Sequence, residues 1–204
     1  MSALDLPDVP RWVEAHGIAI DPAHWRRALG DGAFALGHDM ARLVVIVGEP
    51  DAAAITTLPG THTLLSTTPL PRSTRAILHT LDGDAPDFEG AVPLPPDAPL
   101  PDYLASELAW ARARGPIFAC YVDGEPAAFA YAPWRSPTLF DVSVDVVPAA
   151  RQLGLGTIVA SALIHAEHPR RPVWGADEDN AASLRLAARL GFTPVDELWV
   201  APPS

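Results

Sequence analysis

The sequence predicts an α/β fold (α+β in some schemes), a mixed central sheet flanked by helices, with an N-terminal α/β extension. Three observations carry this. Short apolar runs of strand length recur at 43–47, 63–66, 117–122, 127–132, 139–147 and 173–176. Helix-length stretches of period 3.6 fall between the later runs. A glycine-bearing turn follows the 139–147 strand and opens a helix, which is strand–turn–helix grammar.

In the first half, Asp21-Pro22 before Trp25, Ala28, Leu29 and Gly30 predicts a short capped helix. The strand at 43–47 pairs with 33–36 across Gly37-His38-Asp39. Residues 50–58 read as a helix, 63–66 as a strand and 71–81 as another helix. Prolines 86, 93, 95, 96, 99 and 101 then make an extended connector, because proline fixes φ and removes a donor. Next, Asp102 caps a helix with Leu104, Leu108 and Ala111 on one face and Gly115 past its end. Asp123-Gly124 joins the strands 117–122 and 127–132 as a hairpin. The strand 139–147 turns Phe140, Val142, Val144 and Val146 one way, and Asp141, Ser143 and Asp145 the other. A helix at 155–167, a buried strand at 173–176, a helix from Asn180 to Gly191 and a strand at 192–200 complete the chain. The expected organisation is 1–85 as an N-terminal α/β region, 86–101 as the connector and 102–204 as the main domain. No internal repeat is evident.

Composition narrows the function. The chain has 204 residues, 49% hydrophobic and 19% charged, which suits a folded core rather than disorder. The net charge of -11 argues against nucleic acid, whose phosphates need clustered cations, and suits a cationic or amine substrate. One cysteine, Cys120, excludes an intrachain disulfide and fits a reducing compartment. The first residues carry acids with no basic segment before an apolar run, so no signal peptide is read there. No apolar stretch approaches the roughly 20 residues of a membrane span. The expected location is cytoplasmic, without a membrane partner.

The turn Arg151-Gln152-Leu153-Gly154-Leu155-Gly156-Thr157 reads as an anion site, since glycines admit close approach and a helix N-terminus offers free N–H groups. It lacks the lysine of a Walker loop, and Val159 stands where a dinucleotide fingerprint needs its third glycine. The run from Val144 through Val147-Pro148 to Gly156 resembles the acetyl-CoA motif of the GNAT N-acetyltransferase superfamily. The segment Asn180-Ala181-Ala182-Ser183 … Leu190-Gly191-Phe192 resembles that family's Asn-x-x-Ala/Ser … Leu-Gly-Phe helix. The resemblance covers about half the chain, 102–200, and implies the GNAT acyl-CoA N-acyltransferase fold. It further implies that the backbone of Val144 and Val146 pairs with the pantetheine arm. The amides from Gln152 to Thr157, with Arg151 or Gln152 side chains, would hold the pyrophosphate. Asn180 and Ser183 would reach the cofactor from the next helix, although Asn180 also reads as a plain helix cap.

Catalysis is less legible. By resemblance, the amide of Val146 is the donor to the thioester oxygen. The family's usual tyrosine position is Ala187 here, and the usual glutamate position is Gly175. Asp141 is then the first candidate to take the amine proton, with Asp145 second. Ser143, Asp177, Glu178, Tyr121 and Tyr131 are further candidates. His165 and His168 lie at a helix end without further ligands, so no metal is expected. The implied activity is acetyl transfer from acetyl-CoA to a primary amine of a small molecule or protein. A GNAT fold that binds acyl-CoA as a sensor, without catalysis, is the alternative. Only 12 residues follow Phe192, room for one strand where the family fits two. The N-terminal half, or a second subunit in a homodimer, is therefore expected to cover that edge.

Overall fold

The computed structural model describes residues 4–203; Met1, Ser2 and Ala3, part of the segment weighed as a signal peptide, lie outside them. The first half runs α1 (Val13–Ile20), β1 (His24–Ala28), β2 (Phe34–His38), β3 (Leu43–Val47), α2 (Ala52–Ile55), β4 (Thr63–Ser66) and β5 (Thr74–Thr80). After β6 (Val92–Pro93) come α3 (Ala105–Arg112), β7 (Phe118–Val122), β8 (Glu125–Tyr131), β9 (Leu139–Asp141) and β10 (Ser143–Val146). The chain ends with α4 (Leu155–Glu167), β11 (Arg171–Asp177), α5 (Ala181–Leu190) and β12 (Thr193–Ala201).

One sheet runs β1-β2-β3-β4-β12-β5-β11-β9, and a second runs β10-β8-β7-β6. The order is a palindrome about the β12–β5 pair. On one side β3 and β4 are parallel, and β4 meets β12 antiparallel. On the other side β9 and β11 are parallel, and β11 meets β5 antiparallel. Each half thus lends its last strand to the other: β5 lies between β11 and β12, and β12 lies between β4 and β5. The topology repeats where the sequence shows no repeat. It also answers the missing final strand, since the N-terminal half fills that edge.

Two expected helices are strands. Residues 21–30 form a turn followed by β1. Asp21 is extended and its Oδ1 accepts from the Ala23 amide at 2.9 Å, so Asp21-Pro22 ends α1 instead of capping a new helix. Trp25 then lies across Gly37 on β2, where any side chain would collide with the indole. Residues 71–81 contain β5. With neighbours on both edges, β5 has consecutive buried or half-buried residues from Ala76 to Thr80, so the period of two is lost there. The expected helix at 50–58 is reduced to α2, and the 139–147 strand is divided at Val142.

The connector lies on the surface of the second half. β6 adds to the edge of β7, where proline is tolerated. Ser161 Oγ donates to the Pro86 carbonyl at 2.5 Å, and Arg112 donates to the carbonyls of Pro95 and Pro96. The hairpin turn has both Asp123 and Gly124 at positive φ, as a tight two-residue turn requires. One apolar cluster packs α4 and α5 against Phe140, Val142, Trp174 and Phe192. Another packs α1 against Leu36, Val45, Leu65, Leu78, Trp134 and Leu198, and so draws on both halves.

Candidate active site

The division at Val142 creates the cleft. The Val142 amide donates to the Val173 carbonyl at 2.9 Å, toward β11. Beyond it the strand turns to β8, with Val144 opposite Ala130 and Val146 opposite Ala128. The Val147 amide donates to Ala127 at 2.9 Å. Antiparallel bonding alternates, so the odd positions face β8 and the N–H and C=O of Val144 and Val146 point away from it. Among the described residues no strand pairs with β10 on that side. The equivalent strand of the first half, β3, stays paired on both edges over 43–46 and opens no cleft.

The turn after β10 ends at Gly154, the N-cap of α4, with φ 81° and no side-chain cap. Gln152 also has positive φ, at 67°. Nothing lies within 4 Å of where a Gly154 side chain would begin, so the helix mouth is open. The Thr157 amide is already bonded to the Gly154 carbonyl at 3.1 Å. Leu155 and Gly156 belong to the first turn, whose N–H groups have no intrahelical acceptor. Gly156 has a different task from Gly154. A Cβ there would lie 2.7 Å from Leu186 and 3.4 Å from Val146. Its absence lets α4, α5 and β10 close on one another. Arg151, Gln152 and Leu153 are exposed, while Thr157 is buried. A phosphate-bearing group with an extended arm fits this open helix mouth and the turned-out edge beside it.

On α5, Asn180 Oδ1 accepts from the Ser183 amide at 3.1 Å, so it caps the helix. The Ser183 hydroxyl accepts from Trp174 Nε1 at 2.9 Å, a link that ties α5 to β11. Ala187 is fully buried against the α4 side. Gly175 faces Leu78 of β5, whose Cδ2 lies 3.4 Å from where a Cβ would be.

The polar candidates separate. Burial, and then repulsion from Asp141, pushes Glu14 of α1 up to about 8. Burial pushes Asp141 up to about 7. Sequence reasoning missed Glu14, because helix α1 and its contact with β9 were not foreseen. Tyr131 is buried, and its hydroxyl lies 2.7 Å from Glu107 Oε1 and 2.9 Å from Asp145 Oδ2. Burial and the two carboxyls raise its pKa well above that of a free phenol. Asp145 is also raised, by burial first and then by Glu107. Glu178 is held by Arg75 at 2.7 Å, at the exposed end of the sheet. Asp177 is exposed, and partial burial followed by Asp179 raises it. Cys120 is buried and donates to the Gly90 carbonyl at 3.6 Å, with its thiol pKa raised by burial. Ser143 shares the face of Asp141, and Tyr121 lies at the exposed end of the β7–β8 hairpin. His165 and His168 are exposed beside a cavity of about 660 Å³ that also takes in Asp84 and Arg171, at the C-terminal end of α4. That cavity is remote from the helix mouth. Among the described residues no helix is long and apolar enough to cross a membrane.

A split strand feeding an uncapped glycine turn defines an acyl-CoA-type transferase fold. A sequence model of the Acetyltransferase (GNAT) family matches residues 80–192, and the chain belongs to that family. Its fold is that of solved GNAT structures. A GNAT-family acetyltransferase from Novosphingobium aromaticivorans is 22% identical, with TM-score 0.68, covering 97% of this chain and 98% of that one. A GCN5-related N-acetyltransferase from Kribbella flavida is 15% identical, with TM-score 0.63, covering 95% and 94%. A tandem GNAT protein from the clavulanic acid biosynthesis pathway is 16% identical, with TM-score 0.51, covering 95% and 94%. No curated protein matches the chain by sequence.

Proposed function

We propose that the chain is an acetyl-CoA-dependent N-acetyltransferase acting on a primary amine of a small molecule or protein. The observation that carries this is the open edge of β10 beside the uncapped N-terminus of α4. An extended arm can add there as a strand, and a diphosphate can sit at the helix mouth. Acetyl-CoA supplies the acyl group as a thioester.

Val144 and Val146 would hold the pantetheine arm through their backbone. Gln152, Leu153, Gly154, Leu155 and Gly156, with the Arg151 side chain, would hold the pyrophosphate. The Thr157 amide is spent within the turn, so Thr157 serves by fixing its shape. Asn180 and Ser183 flank the site while keeping their structural bonds. The Val146 N–H is the proposed donor to the acyl oxygen, and Val144 offers a second free N–H nearer Asp141. Asp141, held above the usual carboxylate range, is suited to take a proton near neutral pH. Asp145, bonded to Tyr131, is the weaker candidate. The single cysteine and acidic charge suit a cytoplasmic site of action.

The test is to incubate the protein with acetyl-CoA and a panel of amines and follow free thiol release. The chain carries no lysine, so self-acetylation on lysine adds no background. Amine-dependent release supports the reading. Ala187 and Gly175, empty of the family's usual groups, favour a second reading as an acyl-CoA sensor. Tight coenzyme A binding with no release over any amine would select it.

A further inference from the structure

α1 meets the polar face of β9 through a single turn. Glu14 and Gly17 are three residues apart and share one side of the helix. A Cβ on Gly17 would lie 2.9 Å from the Trp134 ring and 3.2 Å from the Arg135 backbone nitrogen. The helix is therefore pressed against that loop. The Trp134 carbonyl in turn accepts from the Asp141 amide at 3.0 Å. Into this corner Glu14 is turned with 9% exposure, and its Oε2 is buried without a hydrogen-bond partner.

α3 covers the next stretch of the same face. Trp110 packs on Trp134 with ring centres 5.0 Å apart. Glu107 meets the hydroxyl of Tyr131, which Asp145 also approaches. One hydroxyl proton serves one carboxyl at a time, so the half-buried Asp145 and the exposed Glu107 share a single protein donor. The titratable groups on this face are therefore Asp141 on β9, Asp145 on β10, Tyr131 on β8, Glu14 from α1 and Glu107 from α3. Asp8 and His16 lie at its margin, where Asp8 is bonded to Thr138. The neighbouring arginines are committed elsewhere, Arg135 to Glu167 and Arg114 to Asp21. His38 and Arg114, which pack on Trp110, both face Asp21, so among the described residues the four carboxyls have no cation bonded to them.

We propose that Glu14 and Asp141 together form the ammonium subsite of the acceptor pocket, and that the acceptor is an alkyl polyamine rather than an α-amino acid. This rests on the N-acetyltransferase reading above. An ammonium brings three donors and a positive charge, which satisfies Glu14 Oε2 and relieves the repulsion between two carboxyls. Four residues along the divided strand, at most about 13 Å away, the Glu107–Asp145 pair suits a second ammonium. A carboxylate beside the reacting nitrogen would meet like charge from both pairs.

The proton balance is simple. The pair, carrying one proton and one negative charge, takes a proton from the bound ammonium and leaves a neutral amine. The amine nitrogen bonds to the acetyl carbon, the carbon–sulfur bond breaks, and the sulfur departs with the electron pair. The second amine proton goes to that sulfur, and the proton held by the pair passes to solvent. The N-terminal half thus contributes directly to acceptor recognition.

Titration calorimetry on the full chain tests this without turnover, with spermidine, butylamine and alanine as probes. Spermidine should bind most tightly and alanine most weakly. Glu14→Gln should weaken spermidine and butylamine by about tenfold or more, with coenzyme A affinity unchanged. Glu107→Gln, a change remote from α1, should weaken spermidine while sparing butylamine. If Glu14→Gln binds spermidine as the unaltered chain does, or if alanine binds as well as butylamine, the subsite is wrong. Failure of the unaltered chain to bind coenzyme A would instead sink the transferase reading and leave the amine result to stand by itself.

Discussion

Leu78 offers a direct measure of how far the two halves depend on each other. It lies on β5, which belongs to the first half by sequence and to the second by pairing. It is 3% exposed, packed in a cluster with Trp12, Leu36 and Val45 from one half and Trp134 and Leu198 from the other. Its Cδ2 also fills the space opposite Gly175. Leu78→Ala removes a buried isobutyl group and leaves a cavity that the strands on both sides resist closing. Such changes cost about 2–5 kcal/mol, and a central value of about 3 kcal/mol applies to a site this confined. For a chain of this size each kcal/mol moves Tm by roughly 2–4 °C, so a fall of about 6–12 °C is expected. Calorimetry should show one transition, displaced as a whole. The tryptophans lie in both halves, at 12, 25, 110, 134, 174 and 199, so their fluorescence should lose structure at the same temperature. Two transitions, only one of them displaced, would refute the interlocked unit. So would a fall of less than about 3 °C, below the least that this cavity should cost.

Three further outcomes follow from the same structure. Gly154→Glu sets an acid and a strained φ at the helix mouth, so it should abolish coenzyme A-dependent thermal stabilisation; an unchanged shift would count against the site. Glu14 and Asp141 have ordinary values of 4.5 and 3.8, and are raised to about 8 and 7 in the fold. Between those ranges the folded chain holds more protons than the unfolded one, so stability falls as pH rises from about 4 to about 8. Glu14→Gln should flatten that slope in denaturant melts taken across the window, and a parallel slope would dismiss the pairing. Arg135→Met leaves Glu167, 8% exposed, with only Arg170 at 3.8 Å, and should cost about 3–5 kcal/mol in urea unfolding. Adding Glu167→Leu should recover most of that loss, and a double variant no more stable than the single would contradict the account.

Much of the second half was legible because its signals are local. Asp123-Gly124 names its own turn, Asn180 caps its own helix, and Gly154 opens α4 at a positive φ that few residues tolerate. The first half was harder for a physical reason. β5 is paired on both edges and covered on both faces from Ala76 onward, so its pattern loses the alternation that marks a strand. Asp21-Pro22 carries a helix-start signature but uses it to close a turn. The palindromic sheet was not legible at all, because the repeat lies in pairings between 74–80 and 193–201, far apart in sequence. Glu14 escaped notice for the same reason: nothing local to α1 announces its carboxyl partner on β9.

The exchange of strands also bears on where the chemistry can sit. Gly175 is exposed, and a Cβ there would meet only Leu78 Cδ2, at 3.4 Å, so it is the sequence and not the packing that leaves this position without an acid. Ala187 is sealed in the α4–α5 layer, where a tyrosine would need space the core does not have. Of the two customary positions, only Ala187 is closed by packing. The face left open to polar groups is that of Asp141, Ser143 and Asp145. Across it α1 lays Glu14 and α3 lays Glu107, each against a strand carboxyl. With no acid at Gly175, the interlocked first half supplies a carboxyl of its own, Glu14, beside Asp141. Acceptor recognition and the fold's stability are then coupled through α1, since the contact that seats Gly17 on Trp134 is also the contact that aims Glu14.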